Sequence, residues 1–313
     1  MAKRARCRLQ ALTLFAAATA TFAHAAADEG STVPAATPPP AVVLFDSPSG
    51  LPTIEWRWRR FSALDYGVGL AGGAITLAMA IVPPVPTHAI EGPVLFDTSV
   101  RNALRAPGLQ VRYTYRDFSD VGVSLAVTWP FFADALTTAW WYRGSRDTAE
   151  QMALIDLEAL GVIGAVQGMT NVLVSRERPY GSDCGNGELP EHADDCVGAT
   201  RYRSFFSGHS AFSFTGAALI CVHHLKHELI GSPWDAVSCA GGYAVATTTA
   251  LFRVVADMHY ATDVLTGALA GTLVGYGVPL LHYAFPTSGA LARHGVHLTL
   301  APSPGGASLL GVF

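Results

Sequence analysis

Long apolar segments, separated by short polar connections, occupy most of the chain. We count six: Phe61 to Val82, Asp120 to Tyr142, Leu157 to Val174, Phe205 to Val222, Trp234 to Phe252 and Thr262 to Phe285. Their length and their content of Gly, Ala, Leu and Val are typical of helices rather than strands. The pattern therefore predicts an all-α protein built as a bundle of about six apolar helices.

The N-terminus has a different pattern. Four basic residues precede an apolar run from Leu9 to Phe22, and Ala23-His24-Ala25 follows. This order is typical of a secretory signal peptide over residues 1–25, although an uncleaved anchor helix would read similarly. Both interpretations predict an exported protein.

The remaining chain divides by composition. Residues 26–60, rich in Ala and Pro, predict an extended tether, and residues 61–119 a first apolar helix with its connection. Residues 120–285 form the predicted helical core. Residues 286–313 hold two short apolar runs around a Pro- and Gly-rich stretch, which predicts a short hairpin or a loose tail.

Polar residues complicate a membrane assignment. Several apolar runs are shorter than the ~20 residues that a spanning helix needs. They are interrupted by Asp134, Asp156, Glu158, Gln167 and Asn171. Polar groups at membrane depth are either functional or evidence against spanning. We expect a membrane-associated protein and leave the number of spans open.

Charge at the segment ends gives conflicting signals about orientation. Arginines at 57, 59 and 60 and at 143 and 146 favour the cytoplasm for those points, whereas a cleaved signal would put residue 26 outside. We expect an active site that faces the periplasm from the cell membrane, or a periplasmic bundle that rests on the membrane.

Composition narrows the function classes. Half of the 313 residues are hydrophobic, 14% are charged and the formal net charge is −4. These values exclude a disordered chain and a nucleic-acid binder that relies on net positive charge. An anionic ligand must therefore be held by a local cluster of donors.

Four cysteines remain after a signal peptide is removed. Cys184 and Cys196 bracket a polar loop and could close it as a disulfide or stay as free thiols. Cys221 and Cys239 lie in apolar segments, where buried thiols and a bridge are both open.

Three short clusters at predicted helix ends carry the candidate chemistry. In the first, Pro179 ends a helix beside Arg178, whose guanidinium can make paired hydrogen bonds to a phosphate. In the second, Ser207 and Gly208 open a helix and offer a hydroxyl and free backbone N–H groups to an anion, with His209 next to them. Each cluster alone also fits an ordinary helix terminus.

The third cluster joins Arg253, His259 and Asp263. A histidine and an aspartate four residues apart lie on one face of a helical turn, so the carboxylate can hold Nδ1–H and leave Nε2 free to attack. A structural His–Asp pair is the alternative.

Together, the clusters resemble in order and spacing the three motifs of the type 2 phosphatidic acid phosphatase and vanadium haloperoxidase superfamily. The family pattern is Lys-x6-Arg-Pro, then Pro-Ser-Gly-His, then Ser-Arg-x5-His-x3-Asp. Here the motifs read Asn171-x6-Arg178-Pro179, Phe206-Ser207-Gly208-His209 and Phe252-Arg253-x5-His259-x3-Asp263. Asn171, Phe206 and Phe252 depart from the pattern, and Arg176 could partly replace the missing lysine.

The resemblance implies a phosphatase that works through a phosphohistidine, without a metal or other cofactor. It makes His259 the nucleophile, Asp263 the group that fixes its tautomer and His209 the proton donor. The implied phosphate ligands are Arg178, Ser207, Gly208, Arg253 and Asn171.

The apolar helices favour a lipid phosphomonoester or pyrophosphate as substrate, with a soluble phosphomonoester still open. Two other functions remain as alternatives. One is a vanadium-dependent haloperoxidase, and the other is a non-catalytic binder of lipid phosphates.

Overall fold

The computed structural model of the chain describes residues 50–186, 188–284, 297–303 and 306–312. The expected signal peptide, and the expected tether up to residue 49, lie outside these ranges.

Eight α-helices make up most of the described part. They are α1 (Ala63–Ile81), α2 (Asp97–Leu104), α3 (Leu109–Trp129), α4 (Arg146–Val174), α5 (Asp194–Val197), α6 (Gly208–His227), α7 (Trp234–Val255) and α8 (Ala261–Tyr283). Helix α3 continues as a π-helix, Pro130–Tyr142, and 3-10 turns lie at Pro179–Asp183 and Ala199–Tyr202. The predicted all-α bundle is confirmed, because the six apolar segments correspond to α1, α3, α4, α6, α7 and α8.

Helices α3 and α4 begin well before the apolar segments that predicted them. The first turns of α4 are amphipathic: Thr148 and Ala149 are buried, whereas Arg146 and Glu150 are exposed. A search for continuous apolar runs misses such turns, because only one face of the helix is apolar.

Within the described ranges, four helical stretches are long and apolar enough to cross a membrane: Ala63–Ile81, Leu109–Tyr142, Arg146–Asp183 and Ala261–Tyr283. Large apolar side chains on their surfaces are exposed, among them Leu70, Ile81, Leu173 and Leu269. An exposed apolar surface of this extent is typical of helices that face lipid.

Helix α8 packs against α6 along a row of glycines. The row is Gly267, Gly271 and Gly275, and a Cβ on any of them would collide with the α6 backbone. Successive glycines meet successive turns of α6, so the two helices run in the same direction and their N-termini lie side by side. Helices α1 and α4 approach equally closely where Gly72 meets Gly161.

The helices have two ends that differ in chemistry. We call the end where α4 stops and α6 and α8 begin the site end, and the opposite one the distal end. Residues 52–60 lie across the distal end, where Trp58 packs against Tyr283 with ring centroids 4.8 Å apart. Arg143 donates hydrogen bonds to the carbonyl oxygens of Pro52 and Leu229. These residues are therefore packed on the bundle and are not part of an extended tether.

The buried acids that interrupt the apolar segments have partners at the distal end. Asp156 accepts a hydrogen bond from His223 (2.8 Å), and Glu158 from His282 (2.8 Å). His224 lies between Asp134 and Asp235. The acids inside these helices are thus explained by histidine partners.

Two disulfides join Cys184 to Cys196 and Cys221 to Cys239. The first closes the polar loop at the site end, and the second ties α6 to α7. Both pairings that the sequence left open are therefore bridges.

The C-terminal residues form the predicted hairpin. Strands β1 (His297–Ser303) and β2 (Gly306–Val312) pair antiparallel, with His297 opposite Val312 and Ser303 opposite Gly306.

Candidate active site

The end of α4 sets the position of Arg178. Ser175 ends the helix in a left-handed conformation with φ 51°, and Pro179 prevents the helix from resuming. The Arg178 N–H donates to the carbonyl oxygen of Arg201 (2.8 Å), which fixes the backbone. Its buried side-chain Nε has no hydrogen-bond partner among the described residues. A buried guanidinium N–H without an acceptor is available to an anion.

The N-terminus of α6 carries the second cluster. Ser207 is the N-cap residue, and its hydroxyl accepts hydrogen bonds from the N–H and the hydroxyl of Ser210. Ser207 is fully buried, so its hydroxyl caps the helix instead of facing open space. The first N–H groups of the helix, at Gly208 and His209, have no partners inside the helix.

The imidazole of His259 is fixed by a backbone carbonyl. Its Nδ1 lies 2.8 Å from the carbonyl oxygen of Ser204. Because a carbonyl can only accept, Nδ1 carries the proton and Nε2 is left with a free lone pair. The side chain is 3% exposed, so little water competes with a ligand for Nε2.

Asp263 does not make the expected hydrogen bond to His259. Its Oδ2 is 3.9 Å from Nδ1, too far for a hydrogen bond, and instead accepts from the hydroxyl of Ser204 (2.6 Å) and the N–H of Tyr260 (3.0 Å). The carboxylate therefore positions His259 through the Ser204 segment. The spacing of four residues correctly predicted that His259 and Asp263 lie close together. The hydrogen bond to Nδ1, however, is made by the carbonyl oxygen of Ser204.

Arg176 is bound to carboxylates and cannot replace the missing lysine. It pairs with Asp97 (2.7 Å) and Asp263 (2.5 Å), and all three side chains are fully buried. Its charge is neutralised inside the protein, so it is a structural group.

Asp120 links the other two expected site residues. The Nε2 of His209 donates to Asp120 Oδ1 (2.7 Å), and Arg253 approaches the same oxygen at 3.3 Å. Arg253 also donates to Ser119 (2.9 Å), while its buried Nε has no partner among the described residues. With Nε2–H held by Asp120, Nδ1 is the atom of His209 that can exchange a proton with a ligand.

Asn171 faces the backbone of the second motif. Its side-chain N–H donates to the carbonyl oxygen of Phe206 (3.0 Å), which also accepts from Gln167 (3.2 Å). The amide thus holds the loop before α6 in place. Phe252, the third departure, packs against Tyr115 with ring centroids 5.1 Å apart.

Most of these residues meet in one cavity of about 260 Å³. Its wall includes five of the expected site residues: Asn171, Arg178, Gly208, His209 and His259. The remainder of the wall consists of Thr76, Met79, Ala80, Gly164, Gln167, Gly168 and Arg203. Ala80 is exposed on the outer face of α1, so the cavity extends from the histidines to the apolar surface of the bundle. Ser207, Arg253 and Asp263 lie behind the wall and not in it.

Burial and the nearby arginines keep both histidines uncharged. Burial lowers the pKa of His259 well below 6.5, and Arg178 and Arg253 add to the decrease. Burial also lowers the pKa of His209 to about 4, although its hydrogen bond to Asp120 acts in the opposite direction. Burial next to Arg178 lowers the pKa of Arg253 to about 9, which leaves that guanidinium charged at neutral pH.

The polar loop between the first two motifs is tied down by ion pairs. Arg105 and Arg112 both contact Asp183 and Glu188, and Arg116 contacts Asp195 at 3.1 Å. These contacts and the Cys184–Cys196 bridge hold the segment whose Arg201 carbonyl fixes Arg178.

Sequence reasoning missed Asp120, Ser204, Arg203 and the α1 wall. Asp120 was visible as an acid at the edge of an apolar segment. Ser204 acts through its backbone carbonyl, which no side-chain pattern reveals. Arg203 and the α1 residues belong to no motif and depend on the packing of α1 against α4.

Comparisons with known proteins identify similar sequences. Residues 153–286 match the model of the PAP2 superfamily. Over 161 residues, half of this chain, the sequence is 30% identical to the lipid A 1-phosphatase of Porphyromonas gingivalis. The match spans about a third (31%) of that relative's length.

A crystal structure of a transmembrane PAP2-type phosphatidylglycerolphosphate phosphatase from Bacillus subtilis is also similar. It matches with a TM-score of 0.46 and 18% identity, over 71% of this chain and 98% of the other. The three motifs described above all lie within the matched residues 153–286. This stretch, which contains all three motifs, is therefore what the chain shares with the PAP2 superfamily.

Proposed function

We propose that the protein is a phosphatase that hydrolyses a lipid phosphomonoester or pyrophosphate through a phosphohistidine. One observation carries the proposal: the Nδ1–H of His259 is held by Ser204, which leaves Nε2 as an uncharged nucleophile in a cavity beside Arg178. A site that only bound phosphate would need the cations but not an oriented imidazole.

In the first step, His259 Nε2 attacks phosphorus, so an N–P bond forms while the bond to the leaving oxygen breaks. His209 takes part in its protonated form, with a proton on each ring nitrogen, and delivers the Nδ1 proton to the leaving oxygen because Asp120 holds Nε2–H. In the second step, the same Nδ1 accepts a proton from water, whose oxygen attacks phosphorus and releases His259 and inorganic phosphate. Asp263 acts as a positioning residue through Ser204.

Positive charge in the cavity stabilises the transferred phosphoryl group. Arg178 and the N–H groups at Gly208 and His209 are the expected donors to its oxygens, where negative charge spreads in a loose transition state. Arg253 lies next to this group of donors. It contacts Asp120, and its Nε, which has no partner among the described residues, adds positive charge. Because guanidinium groups supply the charge, we expect turnover in the presence of a chelator.

A lipid substrate is favoured by the shape of the cavity. It extends from His259 to Met79 and Ala80 at the outer face of α1, where Leu77 and Ile81 are exposed. A phosphate could therefore reach the histidines while its apolar chain lay along α1. The lipid A 1-phosphatase activity named for the Porphyromonas gingivalis relative is compatible with this class of substrate.

We further propose that the site end faces the periplasm. The arginines at 57, 59, 60, 143 and 146 all lie at the distal end, which the positive-inside rule assigns to the cytoplasm. The Cys184–Cys196 bridge at the site end fits an oxidising compartment. Protease added to spheroplasts should cleave the loop that this bridge closes, and protection of the loop would contradict the orientation.

The test is release of inorganic phosphate from phosphatidic acid in detergent micelles and from a soluble phosphomonoester, with EDTA present. We expect faster release from the lipid, and His259→Ala should reduce kcat by at least about 10⁴-fold because the nucleophile is lost. His192→Ala is the matched control, since His192 is exposed on the polar loop.

The opposite results would identify the other functions. Full turnover by His259→Ala would remove this residue from the mechanism. Phosphate binding without release by the parent protein would favour the non-catalytic binder, and bromide oxidation with vanadate and peroxide would favour the haloperoxidase.

A further inference from the structure

Arg203 is a cation in the cavity that none of the three motifs contains. It lines the same cavity as Asn171, Arg178, His209 and His259. Its Nη2 donates to the carbonyl oxygen of Met79 (3.0 Å) and to that of Val82. In the described part of the chain, no carboxylate lies within ion-pair distance of its guanidinium. Its charge is therefore not neutralised by the protein.

The cavity lacks the cation that the first motif normally supplies. Asn171 stands where the family pattern has lysine, and its amide is used on the carbonyl oxygen of Phe206. Arg176, the nearest candidate in sequence, is fully buried between Asp97 and Asp263. Of the cations that line the cavity, Arg203 is the one besides Arg178 that remains for a ligand.

The position of Arg203 ties it to the nucleophile. It immediately precedes Ser204, whose carbonyl oxygen holds His259 Nδ1. Its side chain is braced by carbonyls at the C-terminal end of α1, which orient a cation favourably. Bonds to two carbonyls through Nη2 leave Nε and Nη1 to interact with an anion.

We propose that Arg203 replaces the missing lysine as a ligand of the transferred phosphoryl group. This inference rests on the proposed function, since it concerns the same cavity. Binding of the phosphoryl group then requires one cation beside Arg178 in the cavity, and a side chain at either position 203 or position 171 can provide it.

The experiment is a double-mutant cycle between these positions. Arg203→Met should lower kcat/KM by about 100-fold and raise the inhibition constant of inorganic phosphate by a similar factor, as for loss of one charged donor. Asn171→Lys should have an effect below about threefold alone, but should recover at least about tenfold in the Arg203→Met background. Arg60→Met is the matched control, because Arg60 pairs with Asp147 at the distal end.

A purely structural role for Arg203 predicts different results. If Arg203 only holds the end of α1, Arg203→Met lowers the melting temperature while the inhibition constant of phosphate stays the same, and a lysine at 171 recovers nothing. Either result would overturn the proposal. Should Arg203→Met fail to fold, Arg203→Gln removes the charge while it can keep one hydrogen bond to α1, and the same cycle applies.

Calorimetric titration of inorganic phosphate into the His259→Ala protein separates this inference from the proposed function. Weaker binding after Arg203→Met in that background supports the phosphate contact even if turnover is never found. Equal binding rejects Arg203 as a ligand whether or not the protein is a phosphatase.

Discussion

The two ends of the bundle differ in whether all of their buried charges are paired. At the distal end the buried acids are paired, such as Asp65 with Arg59 (2.6 Å) and Asp156 with His223 (2.8 Å). At the site end, Arg178 has no carboxylate within ion-pair distance among the described residues. Buried charge that is paired holds helices together, whereas buried charge that is left unpaired destabilises the fold unless a ligand completes it. The contrast separates the structural groups from the functional ones.

The strongest test of this contrast removes one arginine from each end. Arg178→Met should lower kcat/KM by about 10²–10³-fold, because a donor to the transferred oxygens is lost. The melting temperature should stay the same or rise, since the side chain has no carboxylate partner among the described residues and loses only a long contact to Met258 Sδ (3.9 Å). Phosphate release and thermal unfolding in detergent measure the two effects.

Arg59→Met is the counterpart at the distal end. It should lower the melting temperature, because the buried Asp65 loses its cationic partner. The value of kcat per folded molecule should stay unchanged. A loss of stability in Arg178→Met, or a loss of turnover in Arg59→Met, would remove the distinction between the two ends.

A single acid at the distal end should have the next largest effect. Asp156→Ala leaves His223 without its carboxylate in the bundle interior, and we expect the free energy of unfolding to fall by about 3 kcal/mol. Denaturation in mixed micelles measures this change. The double variant with His223→Ala should lose less than the sum of the single losses, and strict additivity would show that the pair is not coupled.

The smallest expected effect concerns pH. His259 remains unprotonated well below pH 6.5, whereas His209, with a pKa of about 4, gains its transferable proton only as the pH falls. The value of kcat/KM should therefore rise by up to about tenfold as the pH is lowered from 6 to 5, because the protonated fraction of His209 rises by that factor. Rates on phosphatidic acid across this range test the expectation, and an optimum above pH 7 would contradict it.

Asp120→Asn sharpens the same test. Its hydrogen bond raises the pKa of His209, so loss of the carboxylate should lower that pKa further and move the profile to more acid pH. The low pKa also has a cost in stability. Because His209 in the unfolded chain takes up its proton near pH 6.5, its contribution to folding is complete above that pH and is lost as the pH falls towards 4.

The sequence predicted the parts of the fold and site that depend on side-chain type and local spacing. Six apolar segments correspond to the six long helices, and the histidines at 209 and 259 lie in one cavity with Arg178. Their spacing along the chain was enough because each lies next to a helix terminus, where the backbone geometry is narrowly defined.

The remainder of the site depends on tertiary packing. Ser204 holds His259 through its backbone carbonyl oxygen. Every residue type has this oxygen, so the amino-acid sequence does not reveal the contact. Asp120 reaches His209 because α3 packs against α6, and Arg203 reaches the cavity because α1 ends beside it. The expected contact of Asp263 with Nδ1 was wrong because Ser204 occupies that position.

The glycine row on α8 limits which substitutions the protein tolerates during evolution. Side chains larger than hydrogen are excluded at Gly267, Gly271 and Gly275, so the close approach of α8 to α6 depends on glycine at all three positions. The distance between His209 and His259, which lie at the N-terminal ends of these two helices, is therefore fixed by this packing. Helix α1 supplies Thr76, Met79 and Ala80 to the outer wall of the cavity. For the lipid substrate proposed above, a change in lipid preference should come from substitutions on α1, with His209 and His259 unchanged.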